Sequence, residues 1–135
     1  MDKKLLLGPE LIKMLNEVRA QVDEIVSLHP TPHIQIKEDG SPVTKLDLEL
    51  SLFIEKQLQK YAHDITFYSE ENYSKLSFPL LALDPLDGTR EYIKGNDEWA
   101  LSIGIFLSPN FHGEGWVYNP KTRELSDRAE DKGHI

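Results

Sequence analysis

Two stretches of this 135-residue sequence place carboxylates directly behind apolar runs. Ile65 to Tyr68 leads into Ser69-Glu70-Glu71, and Leu80 to Leu83 leads into Asp84-Pro85-Leu86-Asp87-Gly88-Thr89. An ionised carboxylate at the end of a buried strand is costly unless a cation or several donors compensate it. Asp87 follows Asp84 by three residues, Pro85 is read as fixing a turn between them, and Gly88 lets the backbone approach a ligand closely. Two carboxylates and the carbonyl of Leu86 could then face one point, an all-oxygen donor set of the kind that suits Mg²⁺. Each feature also has an ordinary structural explanation. Asp, Pro and Gly are the usual turn-makers, so Asp84 and Asp87 equally read as turn residues. Glu70 and Glu71 equally read as a solvated corner after a strand. Thr44 and Asp47 stand at nearly the spacing of a capping box, which accounts for both without any chemistry. The five histidines are scattered, without metal-ligand spacing, and read as surface or loop positions, while Trp99 and Trp116 read as core.

The elements that must carry these residues follow from hydrophobic period. From Gly8-Pro9-Glu10, the positions Leu11, Leu15, Val18, Val22 and Ile25 step by three or four, which predicts a first helix running to about Leu28. His29-Pro30-Thr31-Pro32 stops it, His33 to Ile36 is extended, and Lys37 to Pro42 reads as an exposed loop. Thr44 caps a second helix from about Lys45 to Tyr61 or Ala62, with Leu46, Leu50, Phe53, Ile54, Leu58 and Tyr61 on one face. Beyond it the runs are short and β-like: Ile65 to Tyr68, Leu80 to Leu83, Trp99 to Leu107, Gly115 to Tyr118 and about Glu124 to Ser126. Alternation of Leu101, Ile103, Ile105 and Leu107 marks a strand with one buried face. The expected class is α+β, with two long helices on a mostly antiparallel sheet. One domain is expected over 1–126, followed by a charged tail over 127–135.

Composition narrows the function classes. Fifteen basic against 23 acidic residues give a net charge of −8, which disfavours nucleic-acid polymers and anionic membranes as partners and suits hard cations. No apolar run approaches the length of a membrane span, and Met1-Asp2-Lys3-Lys4 leads into no signal-type apolar region. Cysteine is absent, which removes disulfides and thiolate chemistry together. A cytoplasmic chain is the expectation.

Taken together and in order, three segments closely resemble the inositol monophosphatase superfamily. They are Gly40-Ser41-Pro42-Val43-Thr44-Lys45-Leu46-Asp47, Ser69-Glu70-Glu71, and Asp84-Pro85-Leu86-Asp87-Gly88-Thr89-Arg90-Glu91-Tyr92. Asp84 to Lys94, Asn96 to Trp99 and Gly115 to Pro120 read most like its 3′(2′),5′-bisphosphate nucleotidase branch, whereas Ser102-Ile103-Gly104 looks more like the inositol monophosphatases themselves. The resemblance implies that Glu70, Asp84, Asp87 and the Leu86 carbonyl hold two or three Mg²⁺ ions, with Glu71 as an outer partner. It implies that Asp87, Gly88 and Thr89 receive the substrate phosphate. Asp47 and Thr89 would orient and deprotonate the attacking water, with Glu70 counted beside them among the catalytic residues. The implied activity is Mg²⁺-dependent, lithium-sensitive hydrolysis of a small phosphorylated metabolite, a 3′,5′-bisphosphate nucleotide in preference to an inositol phosphate. Elementary chemistry agrees: phosphate monoesters are inert, and paired divalent ions both generate a nucleophile and neutralise charge. The carboxylates of Asp47, Glu70, Glu71, Asp84 and Asp87 would repel a dianionic phosphate until cations offset them.

The departures carry expectations too. The superfamily's chain is about twice this long, and its second half supplies a Trp-Asp motif that completes a metal site and most of the pocket for the organic group. The present sequence resembles the first half of that sugar-phosphatase fold, so weak turnover is expected from it. The alternative is a non-catalytic metal-binding or interaction domain that dimerises through surface which the second half would cover.

Overall fold

The computed structural model of the chain describes residues 3–69, 76–109 and 114–129. Its first helix, α1, spans Lys3–Ser27 and is broken at Gly8, whose φ of 74° and ψ of 156° are not helical. The helix expected from Gly8 is thus the main part of α1, with Pro9 at a first-turn position where its missing N–H costs nothing. A short helical segment precedes the break. Leu11, Met14, Leu15, Val18 and Val22 bury the inner face of α1.

Strands β1 (Ile34–Ile36) and β2 (Pro42–Thr44) pair antiparallel. The expected loop therefore shrinks to a hairpin turn, closed by Lys37 N–H donating to Ser41 O at 2.8 Å and by Ser41 N–H donating to the Asp39 carboxylate at 2.9 Å. Helix α2 then occupies Lys45–Tyr61, as its apolar spacing predicts, with Leu46, Leu50, Ile54 and Leu58 buried.

Five strands make the main sheet in sequence order: β3 (Thr66–Ser69), β4 (Leu80–Asp87), β5 (Ala100–Phe106), β6 (Glu114–Tyr118) and β7 (Leu125–Ala129). Only the β3–β4 pair is parallel. The α+β expectation holds, with both long helices on one face of the sheet. There Leu81, Leu83, Leu101, Ile103, Ile105, Trp116 and Tyr118 join the inner faces of α1 and α2 in one cluster. Full burial of each large apolar side chain contributes about 1.5–3 kcal/mol, so this layer dominates stability. On the opposite face, among the described residues, Leu80, Ala82 and Phe106 form a smaller buried cluster, with Tyr68 and Phe78 against them. Aromatic residues thus partly cover this second face.

Three boundaries differ from the sequence reading. Strand β4 does not end at Leu83 but runs through Asp84-Pro85-Leu86 to Asp87. Asp84 faces Ser102 and Asp87 faces Ala100, three steps against two, so the extra residue forms a bulge. Proline is tolerated there because a bulge already interrupts the ladder, and Pro85 therefore sits in a strand instead of fixing a turn. The chain turns at Gly88 and enters an unforeseen helix, α3 (Thr89–Lys94). Strand β5 stops at Phe106 and leaves Leu107 exposed. At the other end, β7 takes up residues 127–129 of the expected tail, pairing them with Trp116, Gly115 and Glu114, while 130–135 lie outside the described residues. No described helix is long and apolar enough to cross a membrane.

Candidate active site

The hairpin and the start of α2 build one wall of the site. Thr44 is the N-cap of α2 in extended backbone, and the capping box is complete. Asp47 Oδ2 accepts from the Thr44 N–H at 2.7 Å and from the Thr44 hydroxyl, while Asp47 N–H donates to Thr44 Oγ1 at 3.3 Å. Capping uses only one oxygen. The other, Oδ1, lies 3.5 Å from Thr89 Oγ1, a residue 42 positions away. The Thr89 hydroxyl donates more closely to the Leu86 carbonyl, at 3.0 Å. Asp47 is 4% exposed. Burial pushes its carboxyl above the ordinary carboxylate range, and the hydrogen bonds from Thr44 and Thr89 only partly oppose that.

The end of β4 and the first turn of α3 build the other wall. Gly88 links them at φ 96°, and a Cβ there would lie 2.7 Å from Glu98 O and 3.2 Å from Trp99 Cα. No other residue meets both constraints. Trp99 is buried behind this turn and packs edge-to-face on Tyr92 of α3, ring centroids 5.2 Å apart. Leu86 N–H donates to Asp84 Oδ1 at 3.3 Å. Between the walls lies a cleft of about 370 Å³ that brings together Asp47, Asp84, Leu86, Gly88 and Thr89.

Not every expected residue lines it. Asp84 faces the cleft but is exposed, so the costly burial expected for it does not occur, although Pro85 and Leu86 after it stay buried. Asp87 is exposed beside Ala100 and is not among the lining residues. Glu70 and Glu71 lie outside the described residues. Strand β3 ends with Ser69 paired to Leu83, one residue short of Asp84. Among the described residues no three His, Asp or Glu side chains converge as a metal site. The donor chemistry nevertheless fits a hard divalent cation, since Asp84 and the Leu86 carbonyl offer oxygen alone and Mg²⁺ commonly takes one or two carboxylates, with water and phosphate completing its shell.

The sequence profile of the Inositol monophosphatase family matches residues 9–135. The chain belongs to this family. It is similar to the 3′(2′),5′-bisphosphate nucleotidase CysQ of Shigella flexneri, 35% identical over 104 residues that cover 71% of this chain and 41% of that protein. The IMPase of Thermotoga maritima matches with a TM-score of 0.78 at 20% identity, covering 91% of this chain and 51% of that one. An IMPase/NADP phosphatase complexed with Mg²⁺ and phosphate matches at 0.77 and 18% identity, covering 93% and 49%. At those identities the solved structures show the shared fold. The chain spans less than half the length of the curated relative.

Two basic residues of this family member escaped the sequence reading as parts of the site. Lys37, in the hairpin, and Arg90, on α3, both line the cleft. The Asp39-Gly40-Ser41 turn was the available signal, because a hairpin folded back there carries Lys37 toward whatever α2 caps. His29 is a loop residue, as read, yet its side chain is 7% exposed, with Nε2 2.6 Å from Glu49 Oε2, joining the segment after α1 to α2.

Proposed function

We propose that this chain carries the catalytic wall of a Mg²⁺-dependent phosphomonoesterase acting on a small phosphorylated metabolite, a 3′,5′-bisphosphate nucleotide first and an inositol phosphate second. The observation that carries this reading is the Asp47–Thr89 pair: a buried carboxylate and a hydroxyl, far apart in sequence, meeting at a cleft that Asp84 and Leu86 also line. When the Thr89 proton passes from Leu86 O toward Asp47 Oδ1, Thr89 Oγ1 can accept from a water in the cleft, orient it and relay its proton as it attacks phosphorus. The raised affinity of Asp47 for a proton suits that part. Lys37 and Arg90 supply positive charge for the phosphate, and the opening N–H groups of α3 at Gly88 and Thr89 have no partners within the helix. Asp84, Asp87 and the Leu86 carbonyl, with Glu70 and Glu71, are the proposed holders of the two or three ions. Bound there, Mg²⁺ would lower the pKa of water and neutralise charge on the entering and leaving oxygens.

A second reading, a metal-binding or interaction domain without turnover, draws on the solvent-exposed Asp84 and Asp87 and on the chain's share of its relatives. Assay of 3′-phosphoadenosine 5′-phosphate and inositol 1-phosphate with Mg²⁺, with and without Li⁺, decides between them. Lithium-sensitive release of phosphate that Asp47→Asn and Thr89→Ala each reduce at least about 100-fold is expected for a water-activating pair. Calorimetric Mg²⁺ binding without any phosphate release would establish the second reading.

A further inference from the structure

We propose that a second cavity, separated from the active-site cleft by α3, is a binding site for a small aromatic carboxylate. It measures about 430 Å³ and is formed by three segments remote in sequence: the end of α1 with the chain after it, the stretch from α3 to Trp99, and the turn between β6 and β7. Arg90 and Glu91 of α3 line the cleft, whereas Tyr92 of the same helix and Asn96 just beyond it line the cavity. The two share no lining residue, so this inference stands apart from the phosphatase reading.

The polar groups of the wall select the ligand. Several are already engaged: the Ser27 hydroxyl donates to Glu24 O at 2.6 Å, His29 Nε2 lies 2.6 Å from Glu49 Oε2, and Asp23 accepts from the Tyr118 hydroxyl at 3.0 and 3.1 Å. Trp99 differs. It is 2% exposed, and its indole Nε1–H, which can only donate, has no acceptor among the described residues. A donor buried without a partner costs free energy, which a ligand oxygen lodged against that ring would recover. Charge sets the valence of the ligand. Lys121 has no acidic partner among the described residues, and the Arg123 guanidinium meets Asp23 at 3.7 Å, so two cations against one carboxylate leave a single positive charge. That suits a monoanion, whereas a phosphate dianion exceeds it. The remaining wall is apolar, built by Pro30, Pro32 and Pro120 with the rings of Tyr92 and Trp99, and calls for a flat hydrocarbon body behind the carboxylate.

Two-dimensional ¹H–¹⁵N spectra of the full chain titrated with benzoate test the proposal, because the two indole N–H groups, of Trp99 and Trp116, resonate apart from the backbone amides. A saturable downfield shift of the Trp99 indole proton is expected, with a Kd of about 1 mM or below. Acetate, which lacks the ring, and inorganic phosphate, which lacks it and carries more charge, should each bind at least about tenfold more weakly. Lys121→Glu reverses an exposed charge, so it should leave the circular dichroism melt unchanged and weaken benzoate at least about tenfold. Absence of a saturable shift up to about 20 mM benzoate overturns the proposal. Acetate or phosphate matching benzoate, or a Lys121→Glu chain that binds benzoate as well as wild type, overturns it equally. So does a benzoate shift confined to the Gly88 and Thr89 amides, which would place the ligand in the active-site cleft.

Discussion

Asp47 and Asp84 look into the same cleft from opposite walls, and the fold treats them in opposite ways. Asp47 is buried, holds the first turn of α2 through the Thr44 backbone and hydroxyl, and still turns one oxygen toward Thr89. Asp84 is exposed at the end of a bulged strand, and Asp87 is exposed beside the cleft. One wall is set by packing before any ligand arrives. The other offers negative charge in high dielectric, where it costs little. A carboxylate with a structural duty is positioned by the fold itself, whereas one at an exposed strand end keeps most of its hydration.

The sharpest way to break this contrast is at the seam between the walls. Gly88→Ala should destabilise the chain by at least about 2–3 kcal/mol, since it adds left-handed strain to a clash with backbone at Glu98 and Trp99. Urea unfolding would show it as a lower midpoint at unchanged slope. Asp47→Ala comes next: loss of the capping box should cost about 1–2 kcal/mol in the same measurement. A stability equal to wild type would mean that the packed wall does not depend on its carboxylate.

The pH dependence sharpens the comparison further. Burial raises the Asp47 carboxyl above its ordinary 3.8, so the folded chain holds that proton more tightly than the unfolded one. The stability this contributes is complete below about 3.8 and is lost as pH rises through the raised folded value. Urea midpoints taken at close pH intervals should therefore show wild type losing stability relative to Asp47→Asn across that window. The smallest effect is predicted at the open wall, where Asp84→Asn and Asp87→Asn should each leave stability within about 0.5 kcal/mol. Calorimetry on the same variants should show weaker Mg²⁺ binding, the opposite division of effects from Asp47→Ala.

Legibility differed from element to element for physical reasons. Helix α2 could be read to its ends because a capping residue and a long 3.6-residue period act locally. The continuation of β4 through Asp84 and Asp87 could not, because Pro85 and Gly88 carry the same local signal in a turn as in a bulge, and only pairing with Ser102 and Ala100 distinguishes them. Capping and the approach to Thr89 were set against each other as roles for Asp47, yet a carboxylate has two oxygens and serves both. The exposed Leu48 and Leu52 were hidden among alternating leucines whose inward and outward members differ only once the helix is docked.

Chain-local physics was enough to define the class, the two long helices, the acidic character and the carboxylate motif that marks the family, since these depend on composition, period and neighbours a few residues apart. The joining of Asp47 to Thr89, the arrival of Lys37 and Arg90 at the cleft, and the choice of buried or exposed for each aspartate depend on contacts across tens of residues. Those contacts exist only once α2 has packed on the sheet and the bulge has set the direction in which β4 leaves it.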